Sequence, residues 1–493
     1  MPEKRRNQRA KKIKIIGAGI AGLSVASYLQ RNGYDTEIYE LHSLPGGLCT
    51  AWKKKDYTFD GCIHWLVGSS PSNSLYHSWN EILDMKSLTF VEMNFFSRID
   101  DEYGNSLTLY SNADQLGAEL KRHSPKHADI IDELVNGIKT FAVNDDKDDK
   151  VKEQKAAVFT KFVAITTEQF ARKLESPFLE FALTVFLGNG PIIALPFLLS
   201  TFHQKSAGYP IGGSLKFAQA IEKRYLELGG KIKYNSRVAK ILTRNDKACG
   251  LKLENGQEVG SDLVISAADG YHTIFKLLEG KYLNDTIKGF YAEKNPTLKP
   301  NPSWVQISLG IKRSFEKEPR ELYFKGKHPL TIDSKSKFEI ANARIYKFDP
   351  TLAPKGHTVV IGVYNTSNYQ YWQDLRRDNR EKYEQEKNRI ASEYISLLDS
   401  KLGNVKDHLK VIDVATPATA IRYTNNWQGS LMGWGWGTQV PVWTQRELPN
   451  LGNFYMTGQW ITPAGGLPTV LMDGKNLAGQ ICEKDGKEFK TSC

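Results

Sequence analysis

Near the start of the chain, a short apolar run is followed by a helical pattern of apolar residues and then by a second short apolar run. The β-branched run at 13–16 predicts a buried parallel strand. Small and apolar residues from Ala21 to Gln30 predict a helix, and Gly33 is placed to end it. A second run, Thr36 to Tyr39, predicts the next strand. The order strand, helix, strand indicates a βαβ unit built on a parallel sheet.

The turn between the first strand and the helix has the spacing G-x-G-x-x-G. Gly17 permits the tight turn, Gly19 lets the backbone approach a pyrophosphate, and Gly22 lets the helix pack closely on the strand. Glu40 follows the second strand, where this fingerprint places an acid for a ribose hydroxyl. These residues favour a dinucleotide site over a βαβ unit that uses small residues only for packing.

The same alternation returns later in the chain. An amphipathic helix is predicted from Leu215 to Leu228, then a strand through Val238–Leu242 and a hairpin centred on Asn255-Gly256. A buried strand follows at Leu263–Ser266, and Leu451–Ile481 ends the pattern with strand, glycine-rich turn and helix. The nucleotide-binding domain is therefore predicted to be assembled from separated pieces of chain.

The predicted fold class is α/β, with a Rossmann-like nucleotide-binding domain of parallel strands and helices, and a mixed α+β substrate-binding domain. The charged stretch from about Arg376 to Leu398 predicts a helix in the substrate-binding domain. The predicted divisions are a basic flexible tail at 1–11, the discontinuous nucleotide-binding domain at 12–110, 205–285 and 445–493, a helical insertion at 111–204, and the substrate-binding domain at 286–444.

One segment of the insertion, Phe181–Phe202, is strongly apolar but broken by glycines and prolines. No uninterrupted apolar run in the chain reaches the length of a membrane span. Two interpretations of this segment stay open. It is either a buried pair of core helices or a hydrophobic lip that faces a membrane.

Composition and charge narrow the class of protein. The 493 residues carry a formal charge of +11, and several of the basic residues lie within the first fourteen positions. Such a tail is a solubilising arm or is attracted to anionic lipid. A nucleic-acid partner is not expected, because no nucleic-acid module accompanies the tail.

Five scattered cysteines lack metal-ligand spacing, so we expect no metal site and a reducing compartment. With no cleavage site after the first apolar stretch, a cytoplasmic protein is expected, peripheral at most on the inner face of a membrane.

Three further stretches identify a resemblance. They are LPGGLCTAWKKKDYTFDGCIHW at 44–65, YPIGGSLKFAQAIEKRYLELGGKIKYNSRVAKI at 209–241, and NFYMTGQWITPAGGLPTVLMDGKNLAGQI at 453–481. In these stretches the chain resembles the FAD-dependent phytoene desaturase family, which includes carotenoid isomerases and retinol saturases, within the flavin amine oxidase-like superfamily. The segment GCIHW at 61–65 is more similar to the retinol saturase side, and 416–434 is similar to the family's substrate-side segment.

The resemblance implies FAD as the cofactor and assigns residues to it. Those expected to contact FAD are Gly17, Ala18, Gly19, Ile20, Ala21, Gly22, Glu40, Gly46, Gly47, Leu48, Val238, Gly458, Gly466, Leu467, Val470, Leu471 and Met472. One feature departs from many related flavin enzymes, which place an acid directly after the C-terminal glycine. Here Gln459 follows Gly458, and the nearest acid is Asp473.

The activity that the resemblance implies is desaturation, saturation or isomerisation of a lipophilic isoprenoid or polyene. His64 is the candidate proton donor or acceptor, because histidine titrates near neutral pH, although a buried histidine is also common in protein cores. Trp65, Trp434, Trp436 and Trp460 could line an apolar tunnel or pack in the core. We expect transient contact with a membrane surface, and the pattern does not identify the electron partner.

Other functions remain open at this point. A flavin amine oxidase acting on a soluble amine would need a small polar pocket with an aromatic cage. A flavin-binding lipid carrier would show no turnover. A dehydrogenase that uses only a nicotinamide is disfavoured, because the motifs at 44–48 and 453–481 would then have no role, and no second G-x-G-x-x-G is present.

Overall fold

Strands and helices alternate along residues 9–145, 147–292, 295, 298–435, 445–463 and 465–492, which a computed structural model describes. The strands are β1 (Lys12–Ile16), β2 (Asp35–Tyr39), β3 (Ala51–Lys54), β4 (Tyr57–Asp60), β5 (Leu66–Val67), β6 (Phe90–Val91), β7 (Phe95–Asp100), β8 (Ser106–Tyr110), β9 (Ala207–Pro210), β10 (Lys231–Lys233), β11 (Val238–Arg244), β12 (Lys247–Leu253), β13 (Glu258–Gly260), β14 (Leu263–Ser266), β15 (Ser303–Ile311), β16 (Glu321–Asp333), β17 (Ser336–Ile345), β18 (Thr358–Thr366), β19 (Leu409–Ala415) and β20 (Phe454–Met456). The helices are α1 (Ile20–Arg31), α2 (Ser74–Ile82), α3 (Ala113–His123), α4 (Ala128–Ala142), α5 (Asp149–Val163), α6 (Thr167–Arg172), α7 (Pro177–Leu187), α8 (Ala194–His203), α9 (Gly213–Glu227), α10 (Asp285–Phe290), α11 (Tyr369–Asp378), α12 (Arg380–Leu402), α13 (Val405–His408), α14 (Pro417–Thr424) and α15 (Leu467–Lys484).

Five strands from distant parts of the chain form one parallel sheet, in the order β10-β2-β1-β14-β20. In its centre Ile15 pairs with Ile38 on one side and with Ile265 on the other. Helices α1, α9 and α15 pack together beside this sheet, and α1 and α15 make the most extensive of these contacts. The prediction of a nucleotide-binding domain assembled from separated segments is confirmed.

A second sheet of seven strands has the order β19-β15-β18-β17-β16-β7-β8. Strand β15, second in this order, is buried throughout, because both faces are covered. Val305, Ile307 and Leu309 pack with helices α11 to α13 on one face. The alternate positions, Trp304 and Gln306, point to the other face, as the two-residue period of a strand requires. That second face is turned toward the parallel sheet.

Two predicted boundaries differ from the structure. Strands β7 and β8 were expected in the nucleotide-binding domain, but β7 pairs in parallel with β16 and extends the seven-stranded sheet. The charged helix expected near 376–398 is two helices, α11 and α12, because Asn379 interrupts the first and caps the second through Lys382 N–H. The hydrophobic pattern does not show which sheet a strand joins. It also does not show that a helix is interrupted at a single polar residue.

Helices α3 to α8 form a layer that packs on β7 and β8. These helices lie within residues 111–204, the range predicted for a helical insertion. The apolar segment 181–202 forms parts of α7 and α8, joined by a turn at 188–193, and most of its large side chains are at least partly buried. No helix among the described residues is long and apolar enough to cross a bilayer. Residues 1–8 of the basic tail and Trp436 lie outside the described residues.

Candidate functional site

The carboxyl ends of the parallel strands open onto one cavity of about 640 Å³. Gly17 follows β1, Glu40 follows β2, Asp269 lies three residues after β14, and Gly458 lies two residues after β20. All four line the cavity. In open parallel sheets, ligands bind at this edge because the loops there are positioned by rigid strands. The site thus forms where the sequence motifs converge.

The first glycine turn is held by close backbone contacts. Gly17 has a φ of +98°, and a Cβ on Gly22 would lie 2.0 Å from the Gly17 carbonyl oxygen. Gly46, with a φ of +105°, donates its N–H to the Ala18 carbonyl at 2.8 Å. Side chains are therefore excluded at Gly22 and Gly46 by the fold itself, whereas a Cβ on Gly19 would have its nearest neighbour 4.0 Å away, at the Gly46 carbonyl oxygen.

Glu40 links the glycine turn to the second strand. Its carboxylate accepts hydrogen bonds from Ala18 N–H at 2.6 Å and from His42 N–H at 2.8 Å. Burial raises the pKa of Glu40, and the two backbone N–H groups oppose that shift. Each carboxylate oxygen has a further lone pair. Glu40 can therefore hold the turn and also accept a hydrogen bond from a ligand in the cavity.

The C-terminal glycine turn is held by Asp473 on α15. Its carboxylate accepts hydrogen bonds from Gly458 N–H at 2.7 Å and from the hydroxyls of Thr457 and Thr462 at 2.5 and 2.7 Å. Arg446 pairs with the same carboxylate through both terminal nitrogens. Asp473 does not line the cavity. The acid nearest to Gly458 thus positions the turn from behind.

The structure separates the residues expected at the cofactor into two groups. Those that line the cavity are Gly17, Gly19, Ile20, Ala21, Glu40, Gly46, Gly47, Leu48, Val238, Gly458, Gly466, Leu467 and Val470. Those that lie behind its wall are Ala18, Gly22, Leu471 and Met472. Leu471 is completely buried in the core, and its carbonyl accepts the Ser24 hydroxyl. The second group does not line the cavity.

The glycine-lined part of the cavity fits a flavin dinucleotide. A Cβ on Gly466 would meet no atom within 4 Å, and one on Gly47 would meet only the Gly19 backbone, at 3.4 Å. These glycines, with Gly19, leave space on the cavity side of three separate turns. Backbone that stands open in this way permits close approach of phosphates and of a flat ring.

The other part of the cavity is walled by the seven-stranded sheet. Two cross-strand pairs, Trp304 with Asn365 and Gln306 with Val363, contribute the wall. Trp460 and the neighbouring Leu431 face the same space from the nucleotide side. The cavity therefore runs without interruption from the glycine turns to a largely apolar compartment.

An aromatic cluster adjoins this compartment. Trp65 lines the cavity, and its ring contacts Phe96 at 4.9 Å and Phe202 at 5.8 Å between centroids. Phe96 also contacts Phe186 of α7 at 5.1 Å. Trp434 is fully buried and packs against Trp460 from behind, so it supports the wall and does not line the cavity. Trp65 thus lies between the open cavity and the helical layer.

His64 lines the cavity beside two arginines. Arg344 donates to its Nε2, and Arg320 donates to its backbone carbonyl. Burial, together with the charges of Arg344 and Arg320, holds the pKa of His64 well below its usual range. The imidazole is therefore neutral at pH 7. Acting as a base at Nε2 would require it to give up the hydrogen bond from Arg344, so proton transfer by His64 stays a prediction.

Asp269 is a cavity residue that the motif analysis missed. It is buried, and its carboxylate accepts hydrogen bonds from His272 N–H at 2.6 Å and Trp427 N–H at 2.7 Å. Burial raises its pKa to about 7, against the opposing effect of these N–H groups. It joins the parallel sheet to the segment that carries Trp427. A signal was present in the sequence, since an acid shortly after a buried parallel strand lies at the ligand-binding edge.

Solved structures share this fold. A putrescine oxidase redesigned for cofactor binding is 10% identical with a TM-score of 0.60, covering 96% of this chain and 99% of that one. An oxidoreductase from Methanosarcina mazei is 18% identical with a TM-score of 0.56, covering 94% and 99%. These similarities confirm the predicted fold class.

Sequence relatives extend along almost the whole chain. Prolycopene isomerase 2 of an Oncidium hybrid cultivar is 26% identical, over 97% of this chain and 84% of its own length. A 4,4′-diapophytoene desaturase of Methylomonas is 23% identical, over 97% of both chains. The model of the family described as flavin containing amine oxidoreductase matches residues 20–482. The chain therefore belongs to the flavin containing amine oxidoreductase family and is an FAD-dependent oxidoreductase.

Proposed function

We propose that this enzyme changes the oxidation state or geometry of carbon–carbon bonds in a lipophilic isoprenoid polyene. The observation that carries the proposal is the continuous cavity, in which an apolar compartment follows directly on the glycine-lined part. The relatives named as a prolycopene isomerase and a diapophytoene desaturase support the same class of substrate. Whether the bond is desaturated, saturated or isomerised is left to the experiment below.

The glycine-lined part would hold FAD. The turn from Gly17 to Ala21 would face the pyrophosphate and Glu40 the adenosine ribose, while the Val238 backbone would meet the adenine. Gly46, Gly47 and Leu48 would lie along the pyrophosphate and ribityl chain, with Gly458, Gly466, Leu467 and Val470 near the ribityl and ring. When bound, the flavin supplies a centre that accepts or donates hydride.

The apolar compartment would hold the polyene. Trp65, Trp304, Val363 and Leu431 offer hydrophobic contact to a conjugated chain and displace water from it. Exclusion of water matters because it strengthens electrostatic interactions at the reacting carbons and prevents side reactions of reactive intermediates. The role we propose for these residues is to orient the reacting carbons and keep them dry, without direct participation in bond making.

A soluble amine is the alternative that the family name suggests. The aromatic cluster of Tyr271, Trp427, Trp434 and Trp460 offers no cage to an amine, because Trp460 alone among these four residues lines the cavity. Tyr271 and Trp427 are stacked on each other, so neither ring face is free for a cation between them. The geometry therefore favours the polyene.

The test is turnover by the purified, FAD-loaded enzyme. Prolycopene and a linear carotene precursor would be incubated in detergent with oxidised and, separately, with reduced flavin, and the products separated by chromatography. We expect a change in polyene absorption that is absent in Gly19→Val, because that side chain enters the space next to the glycine turn. Peroxide release with putrescine and no change in any polyene would overturn the proposal.

We also propose transient contact with a membrane surface. Phe197 on α8 is 64% exposed, Phe159 on α5 is 50% exposed, and both helices pack on α4. Exposed aromatic side chains on adjacent helices are suited to shallow insertion between lipids. Flotation with phosphatidylglycerol vesicles should fall several-fold in F159S/F197S and stay unchanged in Y103S, which removes an exposed aromatic in the turn between β7 and β8. Equal flotation of all three proteins would contradict the proposal.

A further inference from the structure

The compartment walled by the seven-stranded sheet contains a charged group of three residues, Arg344, Glu321 and His64. Arg344 of β17 lies opposite Glu321 of β16 and lines the cavity with His64. Its Nε donates to Glu321 Oε1 at 3.2 Å, and its Nη1 donates to His64 Nε2. The same cavity is lined by the apolar side chains of Trp65, Trp304 and Val363 and by the uncharged polar side chains of Gln306 and Asn365. A guanidinium at such a wall is costly unless it is paired and its N–H groups are hydrogen-bonded, and the pair with Glu321 meets only part of this requirement.

Arg344 and His64 each keep a hydrogen-bond donor that faces the cavity without an acceptor among the described residues. A guanidinium has N–H donors and no acceptor, so His64 Nε2 must accept, and the imidazole proton must lie on Nδ1. Within the part of the chain that the structure describes, neither Arg344 Nη2 nor His64 Nδ1 contacts an acceptor. Neither atom is among the fully buried polar atoms that lack a partner, so both keep surface accessible to the cavity.

The charges around these donors favour an electron-rich partner. Arg320 brings a second guanidinium against the His64 carbonyl, and the carboxylate of Glu321 accepts from Arg344 through Oε1. The neutral imidazole adds a donor and no charge. A hydrocarbon would leave both free donors unsatisfied, which is unfavourable for groups removed from water. An oxygen with two lone pairs would satisfy them.

We propose that Arg344 and His64 bind an oxygen atom at the end of the substrate, so that this enzyme acts on polyenes that carry a terminal carbonyl or carboxylate. The inference rests on the proposed function and specifies its substrate class. Arg344 is the residue that determines specificity, and His64 positions it while contributing the second donor. The flavin-facing part of the cavity is unaffected by this choice.

The experiment compares two probes with the same carbon skeleton, 4,4′-diapolycopene and its terminal aldehyde, 4,4′-diapolycopen-4-al. Binding to the FAD-loaded enzyme in detergent is measured by quenching of tryptophan fluorescence, corrected for absorption by the probe, since Trp65, Trp304 and Trp460 line the cavity. Wild type should bind the aldehyde about tenfold more tightly, which corresponds to about 1.4 kcal/mol. R344Q should remove this preference, R344K should keep part of it, and flavin content should stay the same.

Two further variants make the result specific. R98Q removes an arginine of the same sheet that pairs with Asp100 and does not line the cavity, so the preference should persist. If R344Q fails to fold because Glu321 is left buried and unpaired, E321Q/R344Q removes both charges and should bind the two probes equally.

The outcomes separate the two proposals. Equal binding of both probes by wild type, or a preference that survives in R344Q or E321Q/R344Q, would overturn the oxygen-binding subsite while leaving a polyene enzyme intact. Binding of neither probe by wild type would overturn the proposed function, and the subsite with it. A preference for the aldehyde that is lost in the Arg344 variants and kept in R98Q would support the subsite.

Discussion

Asp473 fixes the C-terminal glycine turn, and Asp473→Asn tests how much the cofactor site depends on it. Its side chain is 1% exposed and accepts hydrogen bonds from Gly458 N–H, from the Thr457 and Thr462 hydroxyls, and from both terminal nitrogens of Arg446. All of these partners are donors. An asparagine keeps one acceptor oxygen and turns a donor amide toward the remaining partners, so part of this network must break.

The cost follows from the number and kind of bonds lost. A hydrogen bond to a charged group contributes about 1.5 to 3 kcal/mol, and removal of one partner of a buried ion pair costs about 3 to 5 kcal/mol. Arg446 is 22% exposed, so water recovers some of its hydration. We therefore expect D473N to lower the free energy of unfolding by about 3 kcal/mol. Because Thr457, Gly458 and Gln459 line the cavity, we also expect most of the FAD to be lost during gel filtration.

The assay combines flavin absorbance per chain after gel filtration with urea unfolding followed by tryptophan fluorescence. The matched control is D132N, which removes a carboxylate paired with Lys121 where both side chains are more than a third exposed. That pair should contribute less than about 1 kcal/mol. Full flavin content in D473N, with a free energy of unfolding within about 1 kcal/mol of wild type, would refute the assignment of Asp473 as the anchor of the turn.

Three other predictions concern the glycine turn, the buried acid and the aromatic cluster. Gly19→Ala should keep the melting temperature and lose flavin several-fold. Gly22→Ala places a Cβ 2.0 Å from the Gly17 oxygen and should cost about 1 to 3 kcal/mol or more; equal melting temperatures would contradict this. Since the folded pKa of Asp269 is raised to about 7, its protonated form stabilises the fold at low pH. This contribution should fall by about 3 kcal/mol between pH 5 and 8, and the fall should be absent from urea titrations of Asp269→Asn. Phe96→Leu should enlarge the space behind Trp65 and raise kcat/KM several-fold for longer polyenes relative to shorter ones, whereas an unchanged ratio in competition assays would exclude Phe96 as a length determinant.

Local patterns predicted the parallel sheet and its glycine turns, because both depend on residues close together in sequence. The strand Leu263–Ser266 has the predicted bounds, and the helix predicted from Ala21 to Gln30 is one residue longer at each end. The G-x-G-x-x-G spacing placed Gly17, Gly19 and Glu40 correctly on the cavity. Each of these features follows from steric demands that a short stretch of chain satisfies by itself.

The substrate side could not be predicted in this way, because it depends on pairing between distant strands. Arg344 lies in an unremarkable stretch, and only the register of β17 with β16 and β18 turns it toward the cavity. Trp304 and Gln306 reach the same face through their pairing with β18. A shift of one residue in these strands would exchange the cavity face for the core face packed on α12.

Asp473 shows how a motif can depart from a family pattern and retain its physical effect. The sequence has Gln459 where many flavin enzymes have an acid, which suggested a missing contact near Gly458. In the structure the acid is supplied by the second turn of α15, where Asp473 reaches back to Gly458 N–H. The Asp473 carboxylate orients the turn at Gly458, and it contacts this turn from the side away from the cavity. The position that lines the cavity is thereby left to Gln459, whose amide can both donate and accept hydrogen bonds. The turn is therefore fixed by charge, while the surface that it presents to the cavity is uncharged.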